Sequence, residues 1–142
     1  MLSKIKSLYI RYKEIVNYII VGGMTTAVSL GSYYVCVLFF LNPRNALLLQ
    51  IANVISWICA VTFAYITNRK YVFESQNTDK IYEVAKFVGA RLFTLVIDVV
   101  CMALMVSILG LNDKLAKIII QFIVLILNYI LSKIIVFRKN NI

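Results

Sequence analysis

Charged and amide side chains are scarce in the apolar stretches of this chain, and those present suit the capture of an anionic headgroup. Asn68-Arg69-Lys70-Tyr71-Val72-Phe73 closes the second stretch, and Ser132-Lys133-Ile134-Ile135-Val136-Phe137 closes the fourth. The third carries Arg91 and Asp98, although a charge at a bilayer centre costs about 2.5–3.5 kcal/mol even on the most lenient insertion scale. Guanidinium, ammonium and amide donors can hold a phosphate together. The sequence has no histidine and no carboxylates paired near one another, so it offers no acid–base or nucleophilic constellation. Cys36, Cys59 and Cys101 lie in separate apolar stretches, without disulfide or metal-site spacing. The expectation is a protein that binds without catalysing, with no metal and no cofactor.

Those residues must be positioned by membrane spans. With 62% hydrophobic residues, 15% charged residues and one proline in 142, the chain is too apolar for a soluble domain. Four segments, 15–41, 46–65, 87–109 and 115–137, reach the roughly 20 residues that a membrane helix needs. The expected fold is an all-α membrane protein, a single transmembrane domain over 1–142 with four transmembrane helices. Residues 1–14 place Ile5, Leu8, Tyr9 and Tyr12 at helical spacing among Lys4, Arg11 and Lys13, the pattern of a basic interfacial helix. The first span is too long for a signal peptide's apolar region and is read as retained.

Orientation follows from Lys and Arg, which gather on cytoplasmic flanks. Lys4, Lys6, Arg11 and Lys13 precede the first span, Arg69, Lys70, Lys80 and Lys86 surround the middle loop, and Lys133, Arg138 and Lys139 close the chain. The other loops hold only Arg44, Lys114 and Lys117. Both termini are expected in the cytoplasm, with tight outer turns at 42–45 and 110–114. A net charge of +9 on the inner surface would attract anionic membrane lipids at about 1 kcal/mol per residue, a better fit than nucleic acid. Residues 74–78 read as a loop, and Asp79 as the cap of the helix entering the third span.

Internal repetition is visible without a gap. Phe63-Ala64-Tyr65 through Val72-Phe73 matches Leu127-Asn128-Tyr129 through Val136-Phe137, and 25–29 sits more loosely beside 94–98. The match predicts two parallel-repeat helical hairpins related by an axis along the membrane normal, unless shared apolar composition alone accounts for it. Gly23, Ala27 and Gly31 on the first helix, and Ala52, Ser56, Ala60 and Ala64 on the second, recur every four residues. These stripes would lock the two helices together or join protomers. Trp57 falls mid-span and reads as core packing.

Depth along the helices, at about 1.5 Å per residue, puts Asp98 and Ser29 near the bilayer centre and Asn128 slightly inward. Arg91 and Lys133 share a level roughly 10 Å towards the cytoplasm. They would flank one anion, or anchor helix ends while Asp98 pairs with one of them. Asp98 leans towards Arg91, because helical side chains tilt towards their N-terminus. Gln50 and Asn53, with Gln121 on the last helix, would extend a polar route outward or simply hydrogen-bond between helices.

Taken together, these residues resemble the GtrA-like family of small four-span membrane proteins of cell-surface polysaccharide synthesis, including teichoic acid glycosylation. The resemblance spans nearly the whole chain. It is carried by Val21-Gly22-Gly23, by Phe63 to Phe73, by Arg91 and Asp98, and by Asn128-Tyr129 with Lys133 and Val136-Phe137. Ser29 departs from the amide or carboxylate found there in many relatives. The resemblance implies a multi-pass protein of the cell membrane that moves a polyprenyl-phosphate-linked sugar, commonly undecaprenyl-phosphate glucose, to the outer leaflet for membrane glycosyltransferases. On that reading Arg91, Lys133, Arg69 and Asn68 capture the phosphate, while Asp98, Asn128, Gln121 and Asn53 form the polar translocation route. The alternative is a non-transporting accessory subunit of a membrane glycosyltransferase. A small cation exporter ranks behind both, since Glu14 reaches only the edge of the first span. One four-helix unit offers little interior for a glycolipid headgroup, so a homo-oligomer is expected.

Overall fold

A computed structural model describes residues 1–42 and 44–138. The described residues contain helices and no strand, and four of the helices are long and apolar enough to cross a membrane. They form two compact units, Met1–Glu74 and Ser75–Ile142, each built on one helical hairpin.

The first unit pairs α1 (Leu2–Val35) with α2 (Ala46–Thr67). At about 1.5 Å per residue, the 34 residues of α1 outreach a hydrocarbon core of roughly 30 Å. Its regular geometry breaks at Tyr12 (φ −111°, ψ 15°), just before the apolar span. Ile5, Leu8 and Tyr9 are exposed ahead of that break. At the turn, Asn42 Oδ1 accepts from the Arg44 N–H at 3.0 Å, and Asn45 caps α2 through the Leu47 N–H at 3.0 Å. Such caps satisfy helix-end donors that lipid cannot.

The second unit pairs α3 (Lys80–Ala103) with α4 (Asp113–Leu131). Asp79 caps α3 as expected, accepting from the Tyr82 N–H at 3.1 Å. Gly110 (φ +65°) supplies the left-handed residue at the far turn, and Asn112 caps α4 through the Lys114 N–H at 2.9 Å. Because α4 starts at Asp113, Lys117 belongs to the helix and not to the outer loop. Lys139 lies outside the described residues.

Each of these helices ends in one widened π turn: Cys36–Phe40, Asn68–Val72, Leu104–Ile108 and Ser132–Val136. The i→i+5 bonds Phe73 N–H to Asn68 O (2.9 Å) and Phe137 N–H to Ser132 O (2.8 Å) close the second and fourth. The turns let consecutive Val72-Phe73 and Val136-Phe137 both be buried. Each hairpin makes matching contacts at its open end. Tyr18 meets Phe73 with ring centroids 6.3 Å apart in one, and Phe87 meets Phe137 at 5.9 Å in the other. Asn17 Nδ2 donates to Tyr71 O at 3.2 Å, and Lys86 Nζ donates to Ile135 O at 3.3 Å.

The buried set mixes small and polar side chains with Tyr18, Phe73, Phe87, Ile120 and Phe137, while most of the large apolar side chains are exposed. Ala52, Ser56, Ala60, Ala64 and Asn68 are buried along α2, and Glu83, Thr94, Ala116, Asn128 and Ser132 in the second unit. Phe39, Phe40, Val99, Ile108 and Phe122 are exposed. This inverted distribution suits helices that pack by close approach inside lipid. The α2 stripe packs inward as expected. The α1 stripe does not: Gly23, Ala27 and Gly31 are exposed, and a Cβ added at either glycine would meet nothing within 4 Å. The less exposed face of α1 instead follows Tyr18, Val21, Thr25, Val28 and Ser32. Trp57 is half-buried rather than a core residue.

The two stripes therefore differ in their tolerance of added volume. Ala52→Leu should lower unfolding stability in detergent by about 1–3 kcal/mol through overpacking. Gly31→Ala should lose nothing and gain up to about 1 kcal/mol from helix propensity. Reversible unfolding followed by circular dichroism tests both.

Candidate functional site

Polar chemistry is concentrated on the α3–α4 hairpin. Thr94 Oγ lies 2.9 Å from Asn128 Oδ1 and 3.1 Å from Arg91 O, two acceptors for its one proton. Both Thr94 and Asn128 are buried, so their contact is a cross-helix polar tie within the hairpin. In lipid, burying such groups demands a partner.

Asp98 pairs with Lys117 and not with Arg91. The Lys117 ammonium sits 3.0 Å from Oδ1 and 2.9 Å from Oδ2, and the Asp98 side chain is only 19% exposed. The lean of Asp98 towards its own N-terminus is outweighed by the reach of the lysine stem, which brings an opposite charge to both carboxylate oxygens. Sequence reasoning missed Lys117 because it was counted with the outer loop. The expected span 115–137 already contained Lys117, and the Asn112 cap places it in the second turn of α4.

Arg91 and Lys133 lie between the Phe87–Phe137 and Thr94–Asn128 contacts, in keeping with a shared level. The Arg91 guanidinium stands 4.8 Å from the Phe87 ring centroid. Lys133 Nζ reaches back to Tyr129, 3.3 Å from its hydroxyl oxygen and 5.6 Å from its ring centroid. Each side chain leans one turn towards the start of its own helix, Arg91 towards the open end and Lys133 towards the turn end. The ring faces attract both cations electrostatically.

In the first unit, Arg69 is half-buried on the π turn after α2, and the Lys70 ammonium lies 5.2 Å from the Tyr71 ring centroid. Asn68 is 1% exposed, and its Oδ1 has no hydrogen-bond partner among the described residues. Buried acceptors are seldom left so. Lys13 and Glu74 pair at 3.1 Å in an exposed position, where such bridges contribute little. Asn53, Gln50 and Gln121 are exposed, unlike Asn128.

Glu83 escaped the sequence reading as well. It is fully buried and accepts from Ser75 Oγ at 2.7 Å. Its place in the first turn of α3 offered a signal, since acids there are favoured by the helix dipole. The described residues contain no cluster of His, Cys, Asp and Glu that could hold a metal ion.

Four helices long and apolar enough to cross a membrane, with apolar exteriors and charges held within the spans, define a multi-pass membrane protein. The chain belongs to the GtrA/DPMS transmembrane domain family, whose profile matches residues 17–137. It is 39% identical over 128 residues to the cell wall teichoic acid glycosylation protein GtcA of Listeria monocytogenes serovar 1/2a, covering 88% of this chain and 85% of the relative. The GtcA of Listeria innocua serovar 6a is 42% identical over the same shares. The membrane protein YwcD of Bacillus subtilis is 37% identical over 125 residues, 86% of this chain and 94% of its own. No solved structure matches.

The two polar contacts differ in kind and can be weighed. Thr94→Val, which orphans the Asn128 amide oxygen, should destabilise by about 0.6 kcal/mol and at most about 1.7. A double-mutant cycle of Asp98→Ala with Lys117→Ala should show coupling of about 1 kcal/mol, whereas Asp98→Ala with Arg91→Ala should be additive.

Proposed function

We propose that the protein moves a polyprenyl-phosphate-linked monosaccharide, such as undecaprenyl-phosphate glucose, from the inner to the outer leaflet of the cell membrane. The sugar then serves glycosylation of a cell-wall polymer such as teichoic acid. The observation that carries this reading is the sequence of polar side chains along the α3–α4 hairpin: Lys133 and Arg91, then Thr94 with Asn128, then Asp98 with Lys117. A flipped headgroup needs cations for its phosphate and hydrogen-bonding partners for its sugar, because lipid tails provide neither. The names of the Listeria relatives, teichoic acid glycosylation proteins, support the cell-wall role.

In this scheme Arg91 and Lys133 capture the phosphate at the open end of the α3–α4 hairpin, and Arg69 with Asn68 does so at that of α1–α2. The buried Asn68 oxygen offers an acceptor that a sugar hydroxyl can satisfy. Asp98 and Asn128 carry the mid-membrane step, and Gln121 and Asn53 line the route outward. The two hairpins act as parallel repeats about an axis along the membrane normal, with both termini in the cytoplasm. Residues 2–11, ahead of the Tyr12 break, lie along the inner surface among anionic lipids. The exposed apolar flanks face the prenyl chain, a membrane glycosyltransferase or a second copy of this chain.

Proteoliposomes containing only this protein should exchange a labelled polyprenyl-phosphate monosaccharide between leaflets. Folded Arg91→Ala or Lys133→Ala should slow that exchange at least about tenfold, the loss of one charge-assisted contact. Exchange unchanged in both variants would overturn the phosphate assignment. Wild-type protein that exchanges no lipid would replace transport with an accessory role beside a glycosyltransferase.

A further inference from the structure

The α3–α4 hairpin carries an open cavity of about 380 Å³ on its surface towards the turn end, lined by Asp98, Met102, Val106, Ser107, Asp113 and Lys117 among others. It lies on the turn side of Arg91, with Asp98 about 10 Å further along α3. Neither Arg91 nor Lys133 lines it. Its size falls in the range of small-molecule sites, which pair apolar walls with a few convergent polar groups.

The lining identifies the class of ligand. Two carboxylates face one ammonium, so the cavity carries a negative excess and disfavours a phosphate. Lys117 is already engaged by both oxygens of Asp98, which fixes that carboxylate in place. A neutral polyol matches these groups: carboxylates accept hydrogen bonds from hydroxyls, the ammonium donates to sugar oxygens, and the Ser107 hydroxyl does either. Val106 and Met102 supply the apolar wall that the C–H face of a pyranose needs. Hydrocarbon tails would leave the Asp113 and Ser107 groups without partners.

We propose that this cavity recognises the hexose of the translocated lipid, separately from the phosphate, and sets which sugar is carried. The inference rests on the translocation reading and deepens it. Phosphate recognition at the open end and sugar recognition at the turn end divide one headgroup between two parts of the hairpin. A site that hydrogen-bonds sugar hydroxyls rejects a lipid lacking them far more strongly than an apolar pocket can.

The test is binding to the full chain in nanodiscs. The probes are short-chain polyprenyl phosphates bearing glucose, galactose or N-acetylglucosamine, and the sugar-free polyprenyl phosphate. Wild type should prefer at least one glycosylated probe over the sugar-free one. Asp98→Asn and Ser107→Ala should weaken that probe by about tenfold and the sugar-free lipid by less than about twofold. Met102→Trp, which fills the cavity and keeps both charged residues, should do the same if Asp98→Asn does not fold. Equal binding of all probes by wild type, or equal losses on both kinds of lipid in the variants, would overturn the sugar site and leave translocation standing. Wild-type protein that binds none of the lipids would overturn both.

Discussion

In a bilayer, a polar group that the protein does not satisfy stays unsatisfied, and this constraint shapes each hairpin. Asparagines cap α2 and α4 and an aspartate caps α3, satisfying N–H groups that the first helical turn leaves free. The same constraint explains why Thr25, Ser32, Thr62 and Thr67 return their hydroxyl protons to carbonyls one turn back on their own helices. Since lipid is as apolar as leucine, burying large apolar side chains gains little. Along the helix seams the interiors use alanine, serine, threonine and asparagine, with Ile120 and the open-end aromatics Tyr18, Phe73, Phe87 and Phe137 also buried, and most other bulky residues face outward.

Against that background the two hairpins differ. In α1–α2 the inward stripe of α2 is mostly alanine, which permits close helix approach, with Asn68 at its open end. In α3–α4 the position matching Ala64 is Asn128, tied to Thr94, and the outer half adds the Asp98–Lys117 pair. Holding charges in a span is expensive. The second hairpin keeps them at several levels along its length, while its framework of caps, π turns and open-end contacts resembles that of the first. The second hairpin therefore carries more charge within its spans than the first.

Most of this was readable from residues alone. The four apolar spans, the Asp79 cap, the turns after Leu41 and Leu109 and the inward α2 stripe follow from hydropathy, capping chemistry and small-residue spacing. The α1 stripe does not lock α1 to α2, because four-residue spacing marks a face without saying which way it turns. Gly23, Ala27 and Gly31 point outward, and the less exposed face runs through Tyr18, Val21 and Thr25. The partner of Asp98 was missed for a related reason. Side-chain lean favoured Arg91 on the same helix, whereas the actual contact depends on how α3 and α4 align across the Gly110 turn. The cavity beside that pair had no one-dimensional signature, since its lining comes from both helices and the turn.

The central claim is that the α3–α4 hairpin handles the headgroup. It is tested most directly by photo-crosslinking a polyprenyl-phosphate sugar, with a diazirine on the sugar, to the protein in liposomes and mapping the adducts by mass spectrometry. The account predicts adducts within residues 91–117, at Arg91 and around Asp98, Met102 and Lys117. Adducts confined to the exposed outer faces of α1, or scattered along the lipid-facing side chains, would contradict it.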